Sequence, residues 1–160
     1  MTSVRSSRKQ RNGQSLVEFA VALPIIVLLI FGVIDLGRAV YTYNTLSEAA
    51  RQASRLAIVD QDQSRVAAEA AAYAPAIALA AADVDVCFKS ALTPERDCAS
   101  PATDNCVPMR IGCLGIVTTN STFQPFTPLI NLIVSSIDLS STSVAPIEYV
   151  CPTASKPNCP

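Results

Sequence analysis

The sequence contains no histidine and no tryptophan, only five glycines, and an aromatic share of 6%. Each scarcity removes a class of function. Without histidine there is no imidazole base, no Ser-His or Cys-His pair, and no ordinary mixed metal cluster. Five scattered glycines supply no phosphate-cradling loop. The cysteines form no C-x2-C or C-x4-C pair, so the spacing speaks against zinc. Asp83 and Asp85 would share one face of a strand, but acids flanking a short strand are ordinarily solvated. No catalytic, cofactor-binding or metal-ligating set emerges, and an enzyme is not expected. With so few aromatics, the apolar half of the 160 residues is mostly Ala, Val, Leu and Ile. That is enough for one modest domain with a small core and an anchor.

What is present is unevenly placed. Residues 1–13 hold Arg5, Arg8, Lys9 and Arg11 and no acid, whereas the remainder holds eight basic and 13 acidic residues. A basic tip, an apolar run and an acidic body form a membrane topology. Nucleic-acid binding would instead spread basic residues over a folded face, and is not expected. Cys87, Cys98, Cys106, Cys113, Cys151 and Cys159 all lie in the second half of the chain. An even number in a loop-rich region reads as disulfides in an oxidising compartment. Six cysteines allow 15 pairings. Cys151 with Cys159 is the pair expected first, because both sit in an otherwise untethered Pro-rich tail.

From Leu16 to Ile34 the chain is apolar except for Glu18. As a helix this run spans about 29 Å, close to the ~30 Å hydrocarbon core. A cleaved secretory signal would be shorter and would end in an A-x-A-like site. A buried globular helix of this length would show a polar face. The positive-inside rule places the N-terminus in the cytoplasm and the rest outside, in agreement with the cysteines. The helix should continue to about residue 57, since Leu36, Val40, Tyr43, Ala50, Ala53 and Ala57 recur at helical spacing. Asp35 with Arg38, and Glu48 with Arg51, are spaced to pair on its surface. Pro24 reads as a tolerated kink or as a loosening of the helix where subunits pack, and the first reading is favoured. Gly32 and Gly37, five apart, make a weak helix-packing motif.

Beyond residue 58 the organisation is coarser. Asp60 or Asp62 should cap a second, Ala-rich helix over Val66–Ala82, kinked or split at Pro75. Val84, Val86 and Phe88 alternate with Asp83, Asp85, Cys87 and Lys89, the pattern of a half-buried strand. Ile111–Thr118 and Ile137–Ile147 are further strand candidates. Leu92–Pro108 reads as a loop held by bridges, and Leu129–Ile137 as a buried strand or short helix.

The densest information precedes the apolar run, in Gly13-Gln14-Ser15-Leu16-Val17-Glu18-Phe19. A carboxylate inside an apolar helix is unfavourable, by up to ~2.5–3.5 kcal/mol at the bilayer centre. A cut after Gly13 would give Gln14 an α-amino cation with a pKa near 7.7–8.0, a natural partner for Glu18. The alternative is that Glu18 lies among headgroups and pairs with a leader arginine.

Gly13 and Glu18 resemble a type IV prepilin processing site, and residues 14–58 resemble the TadE-like family. The matching pieces include Val17-Glu18-Phe19-Ala20, Leu23-Pro24, Phe31-Gly32-Val33-Ile34-Asp35-Leu36-Gly37-Arg38 and Tyr41-Thr42-Tyr43-Asn44. They continue through Ala49-Ala50-Arg51-Gln52-Ala53-Ser54-Arg55, with a looser echo in Phe123-Gln124-Pro125-Phe126-Thr127-Pro128-Leu129. The resemblance implies a pseudopilin of the tight-adherence (Flp) pilus system. It implies processing by a prepilin peptidase at Gly13, with Glu18 needed for processing or docking. It further implies partnership with the membrane, other pilins or pseudopilins, and the pilus assembly platform.

The expected fold is therefore α+β: a long N-terminal helix on a small disulfide-stapled extracytoplasmic domain. The expected divisions are a basic leader (1–13), a transmembrane helix (14–35) and its extracytoplasmic continuation (36–58). An Ala-rich second helix (59–82), a small β-rich region with disulfides (83–150) and a Cys/Pro-rich tail (151–160) follow. The expected role is a minor pilin or pseudopilin that assembles or primes a surface pilus or related secretion machine. The alternative is an uncleaved signal-anchored binding module, for which the Gly13–Glu18 geometry is coincidental.

Overall fold

A computed structural model describes residues 11–92, 98, 106 and 108–150. The leading helix, α1, runs Arg11–Ala57, about 70 Å at 1.5 Å per residue. It passes through Pro24 as helix. Most of its apolar N-terminal part is exposed, with Leu16, Phe19, Leu29 and Val33 as examples. Among the described residues it is the one helix long and apolar enough to cross a membrane.

The second helix, α2, spans Gln63–Tyr73, with two short 3-10 turns at Pro75–Ile77 and Ala81–Asp83. Asp62 is its N-cap and accepts hydrogen bonds from the Ser64 and Arg65 amides. The sequence suggested helix up to residue 82. Pro75 cannot donate a helical hydrogen bond, and α2 ends before it.

Three antiparallel strands follow in the order β1-β2-β3: β1 Val84–Ser90, β2 Cys113–Phe123 and β3 Ile137–Pro146, with a short helix, α3 (Pro128–Ile133), between β2 and β3. Val86 faces Val117 across β1–β2, and Val117 faces Ser143 across β2–β3. Thus Val84, Val86 and Phe88 share a sheet face with Gly115, Val117, Thr119 and Ser143, because side chains alternate with period two.

The C-terminal part of α1 lies on that face. Leu46, Ala49, Ala50, Ala53 and Ala57 are fully buried. Small side chains bring the backbones close: a Cβ on Gly115 would sit 3.3 Å from that of Ala57. The Thr119 hydroxyl donates to the Leu46 carbonyl at 3.1 Å, and Ser54 and Ser143 share a hydrogen bond of 2.9 Å. α2 completes the core with Val66, Ala67 and Ala70.

This packing corrects the expected helix face. Leu36, Val40 and Tyr43 are exposed, because the sheet and α2 cover α1 chiefly from Leu46 onward. Glu48 accepts from Gln52 at 2.7 Å, one residue further along than the expected partner, Arg51.

β1 is buried on both faces, not one. Cys87 and Lys89 are 0% and 1% exposed. Cys87 is bonded to Cys98, which fixes a point of the β1–β2 connection over the second face. Cys106 is bonded to Cys113, and its amide donates to the Phe88 carbonyl at 3.3 Å. The Cα separations, 5.7 and 6.2 Å, lie within the ordinary disulfide range. Cys151 and Cys159, with the pair expected of them, lie outside the described residues, as does most of Leu92–Pro108. The fold is α+β: a long N-terminal apolar helix, a three-stranded sheet with helices, and two disulfides in the C-terminal region.

Candidate functional site

Gly13, Gln14 and Glu18 fall in the first turns of α1. All three are exposed, and a Cβ at Gly13 would meet nothing within 4 Å. Gln14 and Glu18 are four apart and share a helix face. Glu18 makes no hydrogen bond or ion pair with another described residue.

A second cluster stands where the apolar run ends. Asp35 is the first charge after Ile34 and is only 5% exposed. Its Oδ1 accepts from the Phe126 amide at 3.0 Å. Its Oδ2 accepts from the Thr127 amide at 3.0 Å and the Thr127 hydroxyl at 2.6 Å. Arg38 approaches the same carboxylate at 3.5 Å, and its guanidinium carbon lies 5.5 Å from the centre of the Phe123 ring. Asp35 and Arg38 are thus paired as their spacing suggested, but the pair is the smaller part of the arrangement. Asp35 mainly latches the β2–β3 connection to the membrane end of α1. The sequence signals were an acid ending an apolar run and Thr127-Pro128, an N-cap residue before a proline at the first helical position. Neither names the other as its partner.

The latch brings α3 alongside the apolar half of α1. A Cβ on Gly32 would lie 3.9 Å from Ile130 Cδ1, so Gly32 faces a segment of its own chain. Beside it, Pro24, Val27, Leu28 and Phe31 of α1 and Thr127, Pro128 and Leu132 line an open apolar groove of ≈ 470 Å³. The segment Leu129–Ile137 contains a short helix, as one of the two expected forms, but it is not buried: Leu132 is 84% exposed. Among the described residues, α1 lies beside it.

On the rest of α1, Leu36, Val40 and Tyr43 carry the exposed apolar surface past Asp35, beyond the run Leu16–Ile34. Residues 13–55 match the family model described as TadE-like protein. The TadE-like segment includes Gly13, Gln14, Glu18, the whole apolar run, Asp35 and Arg38, and it ends within the buried part of α1. No curated protein and no solved structure matches the chain. The TadE-like match associates the chain with Tad/Flp pilus systems, a context not known as enzymatic. The apolar helix supports a membrane anchor.

Proposed function

We propose that the protein is a minor pilin or pseudopilin of a Flp-type pilus or related secretion machine, anchored and assembled through α1. The observation that carries the proposal is the division of α1. Its last third is core, whereas most of its apolar residues from Leu16 to Tyr43 remain exposed even with α3 beside Gly32. In a bilayer, close packing and satisfaction of polar groups drive helices together. An open helix with one buried end is suited to insert among other subunits.

In this reading the N-terminus is cytoplasmic and the sheet domain extracytoplasmic, as the four basic residues before the span favour. A prepilin peptidase removes residues 1–13. The new α-amino group of Gln14 and the Glu18 carboxylate then satisfy each other, within one chain or between neighbours. The partners are the membrane, other pilins and the assembly platform. The folded domain makes the chain far longer than a bare pilin helix, which suits a minor subunit, in the membrane or in the filament.

The deciding measurement is the intact mass and N-terminal sequence of the protein from native membranes, with the peptidase present and absent. A chain starting at Gln14 only when the peptidase is present is expected. Retention of the leader in both conditions would favour an uncleaved anchored module. Glu18→Gln should leave the fold unchanged and reduce processing or incorporation several-fold; normal yields of both would count against a role for Glu18.

A further inference from the structure

We propose that the β2–β3 connection, residues 124–136, is a second membrane-inserting element, seated by α3 in the leaflet next to the folded domain. It rests on α1 being the membrane anchor, and on three features of the connection itself.

Position comes first. Asp35 holds Phe126 and Thr127 at the end of the apolar run. From there α3 follows α1 back along that run, with Ile130 beside Gly32 and Leu132 sharing a groove with Pro24, Val27 and Leu28. Phe31 and Leu28 lie about 6 and 10 Å below Asp35 along the helix axis. Whatever lipid depth these residues occupy, α3 occupies it too.

Composition is the second feature. No charged residue occurs between Phe123 and Ile137. Phe126 and Leu132 are 76% and 84% exposed, and Val134 and Ile137 are exposed as well. In water this would be a contiguous apolar patch without cover; against α1 it continues the anchor's own lipid-facing surface. The apolar stretch is too short to span, and segments of this length enter as interfacial or re-entrant elements.

Backbone polarity is the third. Hydrocarbon tolerates a non-spanning segment only where its backbone groups find partners. Asp35 accepts from the Phe126 and Thr127 amides. The Asn131 amide donates to the Thr127 carbonyl and the Val134 amide to the Ile130 carbonyl. Asn131, Ser135 and Ser136 favour a shallow seat near the headgroups.

The absence of tryptophan supplies the test. Full-length variants Leu29→Trp, Leu132→Trp and Tyr73→Trp each carry a single reporter, for the span, for α3 and for the exposed surface of α2. They are reconstituted at high lipid excess in phosphatidylcholine–phosphatidylglycerol vesicles with plain or acyl-brominated chains. Leu132→Trp is expected to emit to the blue of Tyr73→Trp and to lose most of its intensity to brominated lipid, as Leu29→Trp does. Val134→Trp repeats the measurement should Leu132→Trp fail to fold. Water-like, unquenched emission from α3 beside a quenched Leu29→Trp would overturn the proposal and leave the anchor standing. A blue shift that grows only as lipid is reduced and copies meet would make a second chain the occupant, and also overturn it. Unquenched Leu29→Trp would remove the anchor and the proposal together.

Discussion

Asp35 does more than its place in the sequence advertises. One carboxylate accepts three hydrogen bonds from the β2–β3 connection and faces Arg38. Bonds to a charged group contribute about 1.5–3 kcal/mol each, and removing the acceptor leaves the amides without a partner. Asp35→Ala should therefore release residues 124–136 locally at a cost of about 2–3 kcal/mol, while the sheet holds. Hydrogen exchange read by mass spectrometry should show faster exchange confined to peptides covering Phe126 and Thr127. Arg38→Ala, whose side chain is half-exposed, should cost under about 1 kcal/mol. Equal effects for the two variants would show that the latch has been misread. Asp62 makes a separate, pH-dependent contribution. The hydrogen bond from the Ser64 hydroxyl, joined by the Ser64 and Arg65 amides and the Arg65 charge, outweighs desolvation and holds its carboxyl below the ordinary value. A depressed folded pKa means that this stabilisation is complete above the unfolded value, about 3.9. It is lost as pH falls through the lower folded value. Asp62→Asn should keep the cap and flatten this part of the acid limb of a stability–pH curve; an unchanged limb would place the acid sensitivity elsewhere.

At the scale of elements, the close contact of α1 with β2 is the most constrained feature of the core. Ala57 is fully buried against Gly115, so Ala57→Leu has no space to fill and should cost about 1–3 kcal/mol by overpacking. A thermal-unfolding midpoint equal to wild type would refute that reading of the contact. The two disulfides act on the opposite sheet face and on the start of β2. Each closes a short loop, 11 and 7 residues apart in sequence, and loop entropy assigns about 2.5–3 kcal/mol to each. Much of this was legible beforehand, because α1 and the strands announce themselves by period: uninterrupted apolar residues, then alternation at Val84, Val86 and Phe88. For α2 the sequence offered Asp60 or Asp62 as the cap and a break at Pro75, but it carried the helix on to residue 82, whereas α2 ends at Tyr73. What could not be read was which residues of α1 would be covered. Leu36, Val40 and Tyr43 have the same spacing as Ala50, Ala53 and Ala57, and only the reach of the sheet separates them. Nor could alternation reveal the burial of Cys87 and Lys89, since the bond from Cys87 to Cys98 is not written in the strand's own pattern. The Asp35–Thr127 contact joins residues 92 positions apart, and each is unremarkable in its own neighbourhood.

For the whole molecule, the boundary between anchor and domain does not coincide with an end of α1. One continuous helix serves as apolar rod from Leu16 to Ile34 and as core from Leu46 to Ala57. A force or rotation applied to the rod is therefore delivered straight into the sheet, with no flexible linker between them. The same continuity makes truncation a sharp test. A chain trimmed to 35–160 keeps Asp35, Leu46 and the alanine face, and should retain a cooperative thermal transition with native near-ultraviolet dichroism. A chain trimmed to 58–160 loses Leu46, Ala49, Ala50, Ala53 and Ala57 from the core and uncovers Phe88 and Val117. Truncating even one large buried aliphatic side chain costs about 2–5 kcal/mol, against a total stability of only about 5–15 kcal/mol for a domain. The shorter chain should show no cooperative transition. Should it melt as the longer one does, α2 and the sheet would suffice as a domain, and α1 would be a tether attached to that domain instead of its central element.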